Sequence, residues 1–97
     1  MAGIRAARPA PRTTPLSAEE LREEVAAVLG VPPGTLAGDD HLVHLGLGSL
    51  EMMRLATRWR RQGLPAEFAE LAAAPTLDAW HHHLTDAWTT RNGEVAR

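Results

Sequence analysis

A single serine in this chain stands where chemistry could happen. Ser49 follows a glycine-rich turn and opens a run with helical periodicity, "HLVHLGLGSLEMMRLATRWRR". Such a serine has three readings. It can cap the helix, its hydroxyl accepting from a first-turn amide. It can be a hydrolase nucleophile, but "GLGSL" lacks the glycine two residues after the serine that a nucleophile elbow needs, and no strand precedes it. It can also be modified by another enzyme. That reading calls for exposure, a helix N-terminus whose amides favour a nearby phosphate, and a docking surface alongside. It needs no base in the chain itself, which suits a serine without triad partners.

Two other groupings invite chemistry and then lose it. "WHHHL", His81 to His83, offers three imidazoles, but consecutive residues on a helix fan over about 200° and cannot converge on one ion. His41 and His44 precede the serine without a cysteine or a clear carboxylate set beside them, so no metal site is expected. "RWRRQG" resembles the end of a DNA-contacting helix, yet the basic residues end one helix only and the chain has a net charge of −2. Nucleic-acid binding is a distant alternative.

The elements that must position Ser49 follow from composition and period. A chain of 97 residues supports one small domain with a modest core. All ten basic residues are arginine, a bias that reflects coding composition more than chemistry. There is no cysteine, so no disulfide framework exists. No apolar run reaches the length of a membrane span. Residues 1–16, "MAGIRAARPAPRTTPL", lack the apolar core of a signal peptide and read as a flexible leader or linker. A cytoplasmic protein is expected, with no membrane partner.

The carrier of the site is expected over residues 17–90, and a fraying tail over 91–97, the fraying starting after Trp88. "SAEE" from Ser17 predicts a capping box, and Leu21, Val25, Val28 and Leu29 recur on one helical face. Gly30 and "VPPG" stop that helix. The long connection to Gly48 carries Leu36, Leu42, Val43, Leu45 and Leu47, which suggests that it packs across the bundle. A second helix is predicted from Ser49 to Gln62, a short third from Ala66 to Ala73, and a last one capped by Thr76 and carrying Leu77, Trp80, Leu84 and Trp88. The prediction is an all-α bundle of three longer helices and one short one, with no strand.

On the second helix Met52, Leu55, Ala56 and Trp59 form a tight stripe at i, i+3, i+4 and i+7, the core face. Leu50 falls nearly opposite, among Arg54, Arg58 and Arg61, with Met53 at the border. A leucine on the polar face next to the serine is either incidental or part of a binding surface.

These residues together resemble the aryl carrier proteins, members of the phosphopantetheine-binding carriers of nonribosomal peptide synthesis. The likeness rests on Leu42, Val43, Gly46, Leu47, Ser49, Leu50, Met52, Met53, Leu55, Trp59 and Arg60. It continues through Phe68, Leu71, Ala72, Pro75, Thr76, Leu77 and Trp80, and covers roughly residues 17 to 88. The paired methionines, the "WR" and the late "PT…W" favour aryl carriers over fatty-acid carriers.

The resemblance implies an acyl-carrier-like four-helix bundle, monomeric and not itself an enzyme. It implies that Ser49 is the attachment point of 4′-phosphopantetheine, delivered from coenzyme A by a phosphopantetheinyl transferase. It further implies an aryl acid held as a thioester, received from an adenylation enzyme and passed to a condensation or cyclisation domain, as in siderophore synthesis. Leu50, Met53, Phe68 and Ala72 match positions that such carriers offer to partners, and Arg54 lies beside them; for Phe68, core packing is an alternative of nearly equal weight. The start methionine favours a free carrier or the first domain of a longer chain. One departure stands out: the family places aspartate before the serine, where this chain has Gly48. A carrier that has lost its prosthetic group and serves only as an interaction module is the alternative this departure raises.

Overall fold

The computed structural model describes residues 14–95, with side chains to residue 91. Most of the predicted leader, residues 1–13, and the last two residues of the predicted tail lie outside the described residues. Within them the chain forms four α-helices and no strand: α1 (Ala18–Leu29), α2 (Ser49–Arg61), α3 (Phe68–Ala73) and α4 (Leu77–Val95). A 3-10 turn at Pro33–Thr35 interrupts the long connection.

α1 and α4 start where a hydroxyl can satisfy a first-turn amide. At α1 the Ser17 hydroxyl accepts from the Glu20 amide at 3.0 Å, and the Glu20 carboxylate accepts from the Ser17 amide at 2.9 Å. This reciprocal pair is the capping box that the sequence predicts. Gly30 ends the helix with φ 75°, a left-handed conformation that costs glycine nothing. At α4 the Thr76 hydroxyl accepts from the Ala79 amide at 3.1 Å, as predicted.

The helices close around one apolar cluster. Leu21, Val25 and Ala26 come from α1, Met52, Leu55, Ala56 and Trp59 from α2, Leu71 from α3, and Leu77, Trp80 and Leu84 from α4. α1 packs on α4, and α3 bridges α2 and α4. Two indoles form the centre: Trp59 and Trp80 meet edge to face, with centroids 6.1 Å apart and planes at 77°. Their polar edges are satisfied, Trp59 Nε1 donating to Glu24 at 2.8 Å and Trp80 Nε1 to the Leu71 carbonyl at 2.9 Å. Buried indoles need such partners, and the edge-to-face pair adds about 0.5–1.5 kcal/mol beyond area burial.

Several expectations are corrected. Val28 is 39% exposed and Ala26 is buried instead, because the face of α1 turned to the core runs from Leu21 through Val25 and Leu29 to Ala26 and leaves Val28 at its margin. α3 begins at Phe68 instead of Ala66: the Ala66 amide donates to the Leu64 carbonyl across Pro65, a tight turn that precedes the helix. α4 extends past Trp88 to Val95. Leu16, counted with the leader by sequence, is buried in the core.

The long connection packs across the bundle through Leu36, Leu42 and Leu47, all buried. Val43 and Leu45 do not follow them and are exposed. The reason is a closed turn: the Leu47 amide donates back to the Leu42 carbonyl at 3.0 Å, so both ends face inward while Val43, His44 and Leu45 form the tip. Gly46, at φ 110°, makes the reversal possible. The connection is tied to the start of α4 by Leu42 N–H to Pro75 at 2.8 Å and by Asp78 N–H to Gly38 at 3.0 Å.

Candidate functional site

The closed turn delivers the chain to Gly48, which is the N-cap of α2 in extended conformation (φ −93°, ψ 173°). Ser49 is therefore the first helical residue and not the cap, which settles one of its three readings against it. Its side chain is exposed, and its hydroxyl makes no hydrogen bond among the described residues. The first-turn amides of Ser49, Leu50 and Glu51 have no intrahelical partner, and no side chain at Gly48 covers them. They are donors at the positive end of a 13-residue helix, beside a free hydroxyl.

Glu51 is the residue that sequence reasoning missed. Its carboxylate accepts from the Gly48 amide at 3.1 Å, the returning half of a capping box whose outgoing half is absent. A Cβ at position 48 would lie 2.8 Å from that carboxylate oxygen, the far end of a flexible side chain. The backbone there suits any residue, so conformation does not demand glycine at 48. In its place a carboxylate borrowed from 51 lies over the turn. The spacing was readable: glutamate three residues after a cap is the same pattern as Ser17 and Glu20.

Around the serine the surface is apolar. Leu50 is 53% and Met53 46% exposed, and with Val43 and Leu45 they supply four of the six large exposed apolar side chains among the described residues. All four fall between residues 43 and 53. Scattered surface leucines are ordinary, but four of the six fall in the one turn-and-helix segment that carries the serine. Arg54 is exposed on the same helix. On α3, which packs against α2, Ala72 is exposed whereas Phe68 is partly buried and packs on the core.

The histidines do not gather. His81 and His83 are half-buried and His82 is exposed, and His83 Nε2 accepts from the Glu67 amide at 3.4 Å. His41 and His44 stack on each other with centroids 3.9 Å apart. Among the described residues no group of three or more histidines, cysteines or carboxylates is placed to hold a metal. No helix among them is long and apolar enough to cross a membrane.

Comparison with known proteins agrees with this geometry. Residues 19–84 match the family described as "Phosphopantetheine attachment site", and the chain belongs to that family of carriers. The family carries 4′-phosphopantetheine covalently, and its carrier domains are generally non-catalytic. The residues present fit the group: an unbonded, exposed hydroxyl next to uncapped helix amides suits a phosphodiester. The chain is 50% identical over 62 residues to the phenyloxazoline synthase MbtB of Mycobacterium tuberculosis, a match covering 64% of this chain and 4% of the synthase. It is 44% identical over 71 residues to the MbtB of Mycolicibacterium paratuberculosis, covering 73% of this chain and 6% of that protein. It is 42% identical over 70 residues to enterobactin synthase component B of Escherichia coli K12, covering 72% of this chain and 24% of that protein. The chain thus spans only a small part of the relatives it matches.

Proposed function

We propose that this chain is an aryl carrier: Ser49 bears 4′-phosphopantetheine, and a hydroxybenzoate-type acid is held on it for nonribosomal peptide synthesis, siderophore synthesis included. When bound, the prosthetic group supplies a terminal thiol on which an acyl group is held as a thioester. The chain's own contribution is position. Ser49 Oγ attacks the pantetheine-bearing phosphorus of coenzyme A and forms the new phosphodiester bond as the pyrophosphate bond breaks and adenosine 3′,5′-bisphosphate leaves; the hydroxyl proton goes to a base on the transferase, since the described residues offer Ser49 no hydrogen-bonded base. The uncapped amides of α2 favour the phosphate charge. Leu50 and Met53, with Ala72 and the exposed part of Phe68, offer an apolar grip to visiting enzymes: the transferase, an aryl-acid adenylation enzyme, and a condensation or cyclisation domain. The proposed setting is a cytoplasmic monomer, without catalytic residues and without nucleic-acid or membrane partners.

The observation that carries this reading is the free, exposed hydroxyl at the first residue of α2. The test is intact mass after incubation with a promiscuous phosphopantetheinyl transferase, coenzyme A and Mg²⁺. One phosphopantetheine added to the wild type, and none to Ser49→Ala, is the expected result; an unchanged wild-type mass overturns it. The lack of a side-chain carboxylate at 48 favours one other reading, a carrier reduced to an interaction module, and that same unchanged mass is what it requires. Transfer of a hydroxybenzoate to the modified protein by an adenylation enzyme tests the aryl assignment.

A further inference from the structure

Glu51 holds the start of α2 by a bond that a charge on Ser49 would oppose. Its Oε1 accepts from the half-buried Gly48 amide at 3.1 Å. The backbone at 48 is extended and suits any residue, so the turn itself does not require glycine. What the bare Cα gives is room, since a Cβ there would stand 2.8 Å from the Glu51 oxygen. The carboxylate therefore rests over the turn, at the helix end that carries the serine.

That placement suits an unmodified Ser49. The first-turn amides of Ser49, Leu50 and Glu51 have no intrahelical acceptor, and a carboxylate nearby answers their positive charge. A phosphodiester on the Ser49 oxygen brings acceptors and charge of its own to the same amides. Two anions then share one helix end, and like charges at short range repel with little screening. One of them is covalently fixed. Glu51 is held by a single hydrogen bond, whose net worth is small, so Glu51 is the one that moves. It also has somewhere to go. Arg54, three residues on, and Arg58, seven on, line the same hollow of about 210 Å³ as Glu51, with Val28 and Leu55. Neither arginine has an ion pair or hydrogen bond among the described residues. Side chains three apart are neighbours on a helix surface, and glutamate with arginine pairs there.

Resting on the carrier reading, we infer that Glu51 switches between two partners: the Gly48 amide while Ser49 is bare, and Arg54 once Ser49 carries phosphopantetheine. Gly48 makes the first state possible by leaving the carboxylate its place, and the empty amides of α2 make the second possible by accepting a new anion. The charge of Arg54 is then offset only in the modified form, so the state of the serine is reported one turn farther along the helix. Glu20 supplies the contrast. It makes the same reach to the Ser17 amide, at 2.9 Å, on a helix whose serine is spent as the cap, and it stays in place.

The test follows the full chain by NMR before and after treatment with a promiscuous phosphopantetheinyl transferase, coenzyme A and Mg²⁺, with intact mass reporting complete modification. Wild type is compared with Glu51→Gln, which keeps an acceptor for the Gly48 amide but has no charge to repel. On modification of the wild type, the Glu51 carboxyl carbon and the Arg54 Nε–H resonance should both shift. In Glu51→Gln the Arg54 resonance should stay where it is, and the Ser17 amide should stay in both proteins. Urea unfolding gives a second readout. Glu51→Ala should lower the folding constant of the unmodified protein by about two- to tenfold, and that of the modified protein by less than about twofold. Circular dichroism checks that each variant is folded. A mass gain with an unmoved Arg54 resonance, or with one that moves equally in Glu51→Gln, overturns the switch and leaves the carrier reading intact. An equal folding cost in the two forms does the same. An unchanged wild-type mass overturns both.

Discussion

Two helix starts in this chain are built from nearly the same letters and end in opposite states. α1 opens on Ser17 with Glu20 at its third position; α2 opens on Gly48 with Glu51 at its third position. In both, the glutamate returns to the cap amide, at 2.9 and 3.1 Å. The difference is one residue of register. At α1 the serine is the cap and its hydroxyl is spent on the Glu20 amide. At α2 the serine stands one place later and its hydroxyl is spent on nothing. There the glutamate reaches back to the cap amide without a capping hydroxyl to match it, and the serine hydroxyl is left without a hydrogen bond among the described residues.

The largest effect separating the two starts should come from moving the serine. Gly48→Ser/Ser49→Ala places a hydroxyl at the cap of α2, where it can accept from the Glu51 amide. Intact mass should show complete loss of phosphopantetheine addition in this variant, as in Ser49→Ala alone. Ser17→Ala should leave the addition unchanged. Stability should show the converse. Ser17→Ala should cost about 1 kcal/mol, or about 4–8 °C in Tm for a domain this size. Ser49→Ala should stay within about 0.5 kcal/mol of wild type in urea unfolding, because its hydroxyl has no partner to lose.

A smaller effect sharpens the role of the shared glutamate. Glu51→Ala leaves the half-buried Gly48 amide without its acceptor and should cost about 0.5–1.5 kcal/mol by the same unfolding measurement. The smallest expected change is at position 48. Gly48→Asp adds a capping carboxylate but pushes aside the Glu51 oxygen that accepts from the same residue's amide, so the two effects should nearly cancel and Tm should shift by no more than the equivalent of a few tenths of a kcal/mol.

The same contrast shows what a sequence of this kind makes legible. The core stripe of α2, Met52, Leu55, Ala56 and Trp59, was readable because a surface helix must bury one face, and that requirement writes a period into the chain. The caps at Ser17 and Thr76 were readable because few side chains can accept from first-turn amides. The connection before the serine was not, because its shape depends on one closing bond between Leu42 and Leu47, and no period announces which apolar residues a closed turn throws outward. Val43 and Leu45 looked like core for that reason. The exposure of Leu50 followed from helical geometry, whereas the freedom of the Ser49 hydroxyl required knowing which residue takes the cap.

The placement of the three indoles has a practical consequence for watching this molecule at work. Trp59 and Trp80 are sealed in the centre, Trp88 lies farther along α4, and the chain has no tyrosine. Trp59 is ten residues from Ser49, about 15 Å along the same helix. Ultraviolet-excited emission will therefore report chiefly on melting of the interior, where two of the three indoles lie.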